Sequence, residues 1–217
     1  MTTKEKTDYF KRKIDFESIG FIEVQEESEF LYVKTQNNIS VFIICTFFRN
    51  KFQSAGFWIT CNEIENLLRE FYSKFQLEPD RIRPMTISSS KFLPNTAIFP
   101  ADVDLLFDSY DNIEKVALTV KSCVIEIFKP IWEKYADLQT INDELIDQIP
   151  QMKLSDFISG KMSTKKLIIM KMCKNDNYEE YKSWLIKNYE NEYQKGNEQA
   201  DNEYFMMKDL VEYLETI

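Results

Sequence analysis

"SAGFWITCNEIENLL", residues 54–68, changes its periodicity halfway along. Up to Cys61 the side chains are the aromatic, β-branched and small types of a strand. From Ile64 onward, Leu67, Leu68, Phe71, Tyr72 and Phe75 recur at helical spacing. A strand running straight into an amphipathic helix commits the chain to a mixed sheet-and-helix fold. Asn62 fits an N-cap and Glu65, three residues on, completes a capping-box pattern.

Upstream, residues 4–19 read as a helix with Phe10 and Ile14 on its apolar side, ended by Gly20. Two strands follow, about 21–35 and 39–48, meeting at Asn37-Asn38, because asparagine tolerates the positive φ of a hairpin turn. The run "SVFIICTFF" predicts a strand buried on both faces. "RNKFQSA" reads as a polar connection to a third strand, 55–61. Downstream, residues 77–101 hold four of the six prolines and a serine run, so they read as a long loop with a short strand near 83–88.

From about residue 102 the pattern is helical. Ile113, Val116, Ala117, Val120, Val124 and Ile127 form a stripe expected to end before Pro130, and one or two short helices over 131–148 are stopped by Pro150. Ser163 fits the cap of a buried helix, "KKLIIMKMCK". Tyr178, Tyr181, Trp184, Leu185, Tyr189 and Tyr193 share one broad side of the next helix, which Gly196 breaks. A last helix, 201–216, uses Phe205, Met206, Leu210, Val211 and Leu214 as its apolar side. The expected fold is α+β: an N-terminal α-β-β-β-α unit with a small antiparallel sheet, residues 1–100. A mostly helical C-terminal part, 101–217, packs with it as one globular unit.

Apolar residues make up 44% and aromatics 14% of the 217 residues, enough for a sizeable core. The excess of Lys, Asn, Ile, Tyr and Glu suits an AT-rich bacterial genome. The opening "MTTKEKTDYFKRK" is polar, and no stretch reaches membrane-span length, so the expected compartment is the cytoplasm. Cys45, Cys61, Cys123 and Cys173 are widely spaced inside apolar runs, as reduced core thiols are. The net charge of −9 is uneven: residues 174–217 carry 11 acidic and 5 basic side chains, whereas residues 1–61 carry 8 of each. Such a region opposes nucleic-acid binding and favours a basic protein partner.

The chain has no histidine. That excludes Ser-His-Asp and Cys-His catalysis and every His-containing metal site. The remaining motifs are plain. The 54–68 junction lacks the glycines of a phosphate-binding turn, and Glu63 and Glu65 oppose a lowered thiol pKa at Cys61, which reads as a packing cysteine. Asp102, Asp104, Asp108, Asp111 and Glu114 cluster without EF-hand spacing or its glycine, so they read as acids at helix starts. Ser88–Ser90 have only Lys91 as a base. Tyr178 and Lys182 match the Y-x-x-x-K spacing of short-chain dehydrogenases without that family's glycine-rich turn. "NIS" at 38–40 is a glycosylation sequon in form only. Arg81, Arg83 and Lys91 form a small basic feature suited to an anion contact.

The order of helix, "GFIE" at 20–23, paired strands, "FWITCNEIENLL", "VKSCVIEIFKPIWEKY" and "KKLIIMKMCKNDNYEEY" resembles a bacterial family catalogued as domain of unknown function 4304. The resemblance covers residues 6–190 and implies a leading helix, a Gly-Phe strand, further strands and a helical second half. It implies no activity and carries over no functional residues. By analogy of size and fold, some small acidic bacterial proteins serve as immunity proteins against secreted toxins.

Two functional classes follow. One is a non-enzymatic interaction protein, in an immunity-type version, whose acidic surface (Glu179, Glu180, Glu190, Glu192, Glu198, Asp201 and Glu203) meets a basic protein partner. The other is a ligand-binding protein or histidine-free enzyme that uses carboxylates and the 77–101 loop, with a concave pocket joining Arg81 or Arg83 to acids such as Asp102 and Asp104. Neither requires a cofactor, metal, nucleic acid or membrane, and both are compatible with a homodimer formed through the sheet edge or the aromatic helix.

Overall fold

The computed structural model describes residues 2–25, 29–48, 51–77, 84–89, 91–92, 106–196 and 198–217. The first helix, α1 (Thr3–Ile14), starts with a reciprocal capping box. The Thr2 hydroxyl accepts from the Glu5 N–H, and the Glu5 carboxylate accepts from the Thr2 N–H. It ends earlier than the apolar pattern predicts. Asp15 takes the left-handed conformation (φ 44°), and the chain continues as a 3-10 turn, Phe16–Ile19. Gly20, at φ 87°, closes that turn as expected for glycine.

The sheet has five strands in the order β1-β2-β3-β4-β5. They are β1 (Ile22–Gln25), β2 (Glu29–Gln36), β3 (Ile39–Phe48), β4 (Lys51–Cys61) and β5 (Ile87–Ser88). The β1/β2 and β2/β3 pairs are antiparallel. The fold class is α+β, as the sequence predicts. One expected strand, 21–35, is two: Val24 lies opposite Leu31 and Glu23 opposite Tyr32. Alternation alone cannot separate one long strand from a hairpin of two short ones.

The Asn37-Asn38 turn forms as expected, with Asn37 at φ 54° between the paired Gln36 and Ile39. β3 is fully buried on one face only (Val41, Ile43, Cys45). On its half-buried face Phe42 stacks on Trp58, with ring centroids 4.9 Å apart. β4 begins at Lys51 rather than 55; Phe52 and Ala55, on opposite faces of the strand, are both buried, while Gln53 and Ser54 are exposed.

Helices follow β4: α2 (Asn62–Lys74), α3 (Tyr110–Cys123), α4 (Lys129–Lys134), α5 (Leu138–Ile141), α6 (Gln151–Leu154), α7 (Met162–Met172), α8 (Tyr178–Tyr193) and α9 (Glu198–Leu214). Pro130 does not stop the helical path that begins with α3. A π-helical turn, Val124–Phe128, joins α3 to α4, and Pro130 falls in the first turn of α4. The widened turn shifts the hydrogen-bond register beside a residue that has no N–H to donate. Ser163 is not a cap either, since α7 starts at Met162 with Lys161 as N-cap.

The chain divides into two compact units, residues 1–59 with 88–136 and residues 60–87 with 137–217. The expected boundary near residue 100 falls outside the described residues. In the first unit α1 packs on α3, and Phe10, Ile14, Ile113, Val116, Ala117 and Val120 are fully buried. Each large apolar side chain sealed this way contributes about 1.5–3 kcal/mol. Phe57 meets Phe128 and Trp132, and Phe21 also meets Trp132. In the second unit α7 is buried on successive positions, Thr164, Lys165 and Leu167–Met170, with α2, α8 and α9 packed around it. That surround explains why its sequence shows no amphipathic stripe.

Candidate functional site

The strand-to-helix junction holds a buried polar network rather than a cap. Cys61 is the N-cap, Asn62 is the first helical residue, and no side chain caps α2. Glu65 turns inward instead. The Cys61 N–H donates to the Thr86 hydroxyl (2.9 Å), which donates to the Glu65 carboxylate (2.7 Å). The Lys165 ammonium lies 2.7 Å from the same carboxylate oxygen and donates to the Met85 carbonyl at 2.7 Å. A missing cap costs about 1 kcal/mol, whereas an unpaired ion in the interior costs several. Lys165 therefore claims the carboxylate, and its place in the apolar run "KKLIIMKMCK" is the sequence signal that a buried acid must face it. All these groups lie in the second unit, and with the Thr60 hydroxyl donating to the Pro84 carbonyl (2.6 Å) they pin residues 84–86. Their partners are one another, which makes the network a clamp.

The thiols are equally quiet. Burial pushes Cys61 up to about 11, and Glu63 and Glu65 push the same way, while backbone N–H groups of Ile64 and Glu63 oppose it. Burial likewise raises Cys173 to about 11 and Cys123 to about 12, and Cys45 higher still. All four are free, and none is a thiolate at neutral pH.

Of the acidic candidates, Glu179, Glu180, Glu190 and Glu192 lie on α8, and Glu198, Asp201 and Glu203 on α9. Glu179 pairs with Lys182 (2.7 Å), Glu192 with Lys195 (2.5 Å) and Glu203 with Lys161 (3.2 Å). Glu180, Glu190 and Asp201 have no ion pair among the described residues. The side chain of Glu198 lies outside them.

Where α8 meets α9, an aromatic cluster faces solvent. Tyr193 stacks on Tyr204 (centroids 4.9 Å) and meets Phe205 edge-on (5.6 Å), with Phe205 45% and Tyr193 37% exposed. Glu190 stands three residues before Tyr193, and Asp201 four before Phe205, so each shares a helix face with a ring. Sequence reasoning placed Phe205 on the apolar side. The buried line is Met206, Leu210 and Leu214, spaced by four, and Phe205 sits one position off it. Further along α8, Trp184 is 48% exposed and stacks on Tyr181. It borders a pocket of about 350 Å³ that Asp147, Lys166 and Glu180 also line.

Arg81, Arg83, Asp102, Asp104 and Ser90 lie outside the described residues, and Lys91 is exposed. The described acids of the 102–114 cluster are spoken for in two cases. Asp108 accepts from the Asn112 amide, and Glu114 accepts from the Tyr9 hydroxyl (2.8 Å) and Lys13 (2.7 Å). Among the described residues no three Cys, Asp or Glu side chains are grouped to hold a metal. The buried Ser89 hydroxyl accepts from the Phe57 N–H at 3.4 Å. The Tyr178/Lys182 spacing serves structure: both donate to the Glu215 carboxylate, at 3.0 and 2.9 Å.

No described helix is long and apolar enough to cross a membrane. No protein-family model, curated protein or solved structure matches the chain.

Proposed function

We propose that the chain is a non-enzymatic interaction module of the bacterial cytoplasm, in the manner of an immunity protein, and that it binds a basic protein through the α8–α9 surface. The observation that carries this reading is the exposed Tyr193–Tyr204–Phe205 cluster flanked by the carboxylates of Glu190 and Asp201, which have no ion pair among the described residues. Aromatic side chains anchor interfaces because they bury large area at small entropic cost, and a charged rim selects the partner's sign. Glu180 and Trp184 extend the same chemistry along α8. Glu192 is tied to Lys195 only by an exposed pair, which a cationic partner can displace at small cost, whereas Glu179 and Glu203 sit in partly buried pairs with Lys182 and Lys161. Free, protonated thiols suit a reducing compartment.

The test compares retention of a basic partner from the producing cell by the wild-type chain and by Glu190→Gln/Asp201→Asn/Phe205→Ala. The expected result is a protein of high isoelectric point that the wild type holds at low salt, releases at high salt, and that the triple variant loses. Equal retention by the variant contradicts the reading.

A further inference from the structure

A pocket of about 350 Å³ opens beside the first half of α8, and every residue that lines it belongs to the second unit. Its buried lining is apolar, with Ile146 and Met170 only 3% and 2% exposed. Trp184 lines it as well and is 48% exposed, its ring stacked on that of Tyr181 at 5.4 Å. The other two tryptophans, Trp58 and Trp132, are buried. An indole left open against an apolar hollow is the kind of side chain that anchors an interface.

The charges around the hollow do not cancel. The Lys166 ammonium donates to the Gln151 side-chain oxygen at 3.0 Å and stands 4.7 Å from the centre of the Tyr181 ring. Asp147 is the carboxylate whose charge bears on Lys166, and it accepts from the Asn175 amide at 2.8 Å. Glu180 has no ion pair among the described residues, with Lys166 or any other cation. It stands four residues before Trp184, on the same face of α8. The uncompensated charge is therefore negative and lies beside the open indole. A lone anion meets Glu180 and Asp147, and an uncharged apolar group leaves Glu180 desolvated without a partner. An arginine side chain matches the whole hollow. Its methylenes suit Ile146 and Met170, its flat guanidinium stacks on an indole, and its charge answers Glu180. Lysine has the stem and the charge but no plane to stack.

We propose that this hollow seats one arginine side chain of the basic protein partner, the guanidinium lying on Trp184 and donating to Glu180. The inference rests on the reading that the partner is a basic protein, and it adds a specific residue type to that reading. It also gives α8 a second point of attachment, separate from the Tyr193–Tyr204–Phe205 cluster.

Titration of the full chain with Nα-acetyl-arginine methylamide at low salt tests this, followed by the Trp184 indole N–H and the α8 backbone amide signals in NMR. The lysine analogue and the citrulline analogue, which keeps the shape of arginine without its charge, are the comparisons. Saturable shifts centred on residues 177–184 are expected with the arginine probe, weaker binding with lysine and none with citrulline. Glu180→Gln is expected to weaken binding about fivefold and Trp184→Ala about tenfold. Glu180 is exposed, so its variant keeps the fold, and its melting temperature is expected to match wild type. The Glu190→Gln/Asp201→Asn/Phe205→Ala variant is expected to bind the probe as the wild type does. The probe needs no partner, so its failure overturns this proposal and leaves the partner-retention test standing. The proposal is also overturned if citrulline or lysine binds as tightly as arginine, if Glu180→Gln binds as the wild type does, or if the triple variant loses the probe.

Discussion

The Lys165 ammonium stands 2.7 Å from the Glu65 carboxylate, with side chains only 5% and 9% exposed. The pair ties the buried helix α7 to the first turns of α2. Breaking it from one side leaves an ion in the interior without its partner. Glu65→Gln and Lys165→Met are each expected to lose about 3–5 kcal/mol in urea unfolding. Glu65→Leu/Lys165→Met removes both charges and is expected to lose far less than the sum of the two single changes. Single variants within about 0.5 kcal/mol of wild type would show that the pair does not hold the second unit together.

Ser109 caps α3, its hydroxyl accepting from the Asn112 N–H at 3.2 Å. Ser109→Ala is expected to lower stability by about 1 kcal/mol and Ser109→Asp to keep it. Chemical unfolding of both variants checks this, and an Ala variant as stable as the Asp one contradicts it.

The thiols set an alkaline limit. Burial raises Cys61 and Cys173 to about 11 and Cys123 to about 12, above the unfolded cysteine value of about 8.5. A raised folded pKa means that the folded state holds its protons longer. Its stabilising contribution is complete below about pH 8.5 and is lost as pH rises towards the folded values. The melting temperature is expected to fall from about pH 8.5 upward. Thiol titration with a disulfide reagent at pH 8 is expected to run about a hundredfold slower than with free cysteine, reaching the half-buried Cys173 before the sealed Cys45.

Carboxylates set the acid limit. The N–H and hydroxyl of Thr140 hold Asp137 below its usual range, Lys13 and Tyr9 hold Glu114 down, and Lys182 and Tyr178 do the same for Glu215. A depressed folded pKa contributes stability above the unfolded value that is lost as pH falls through the folded one. The melting temperature is expected to decline below about pH 4.5, and the Asp137→Asn/Glu114→Gln double variant to show a shallower decline. An unchanged slope contradicts the assignment.

The α+β class was legible because β4 and α2 meet in one short stretch with two clear periodicities, and the Asn37 turn because asparagine accepts a positive φ. The capping box at Asn62 was misread because local spacing cannot see Lys165, a hundred residues away. Pro130 was misread as a stop because a π turn, invisible to period counting, absorbs it. The acidic residues were visible as composition. The exposed rings beside them were not, since Tyr193 and Phe205 fit an apolar stripe as well as they fit an open surface, and only the packing of α8 on α9 decides between the two.

Hydrogen exchange of the chain with and without its basic partner locates the docking surface directly. The account predicts new protection over residues 178–193 and 200–214, concentrated around Tyr193 and Phe205, that disappears in the Glu190→Gln/Asp201→Asn/Phe205→Ala variant. Protection confined to the first unit, with α8 and α9 exchanging as they do in the free chain, would contradict it.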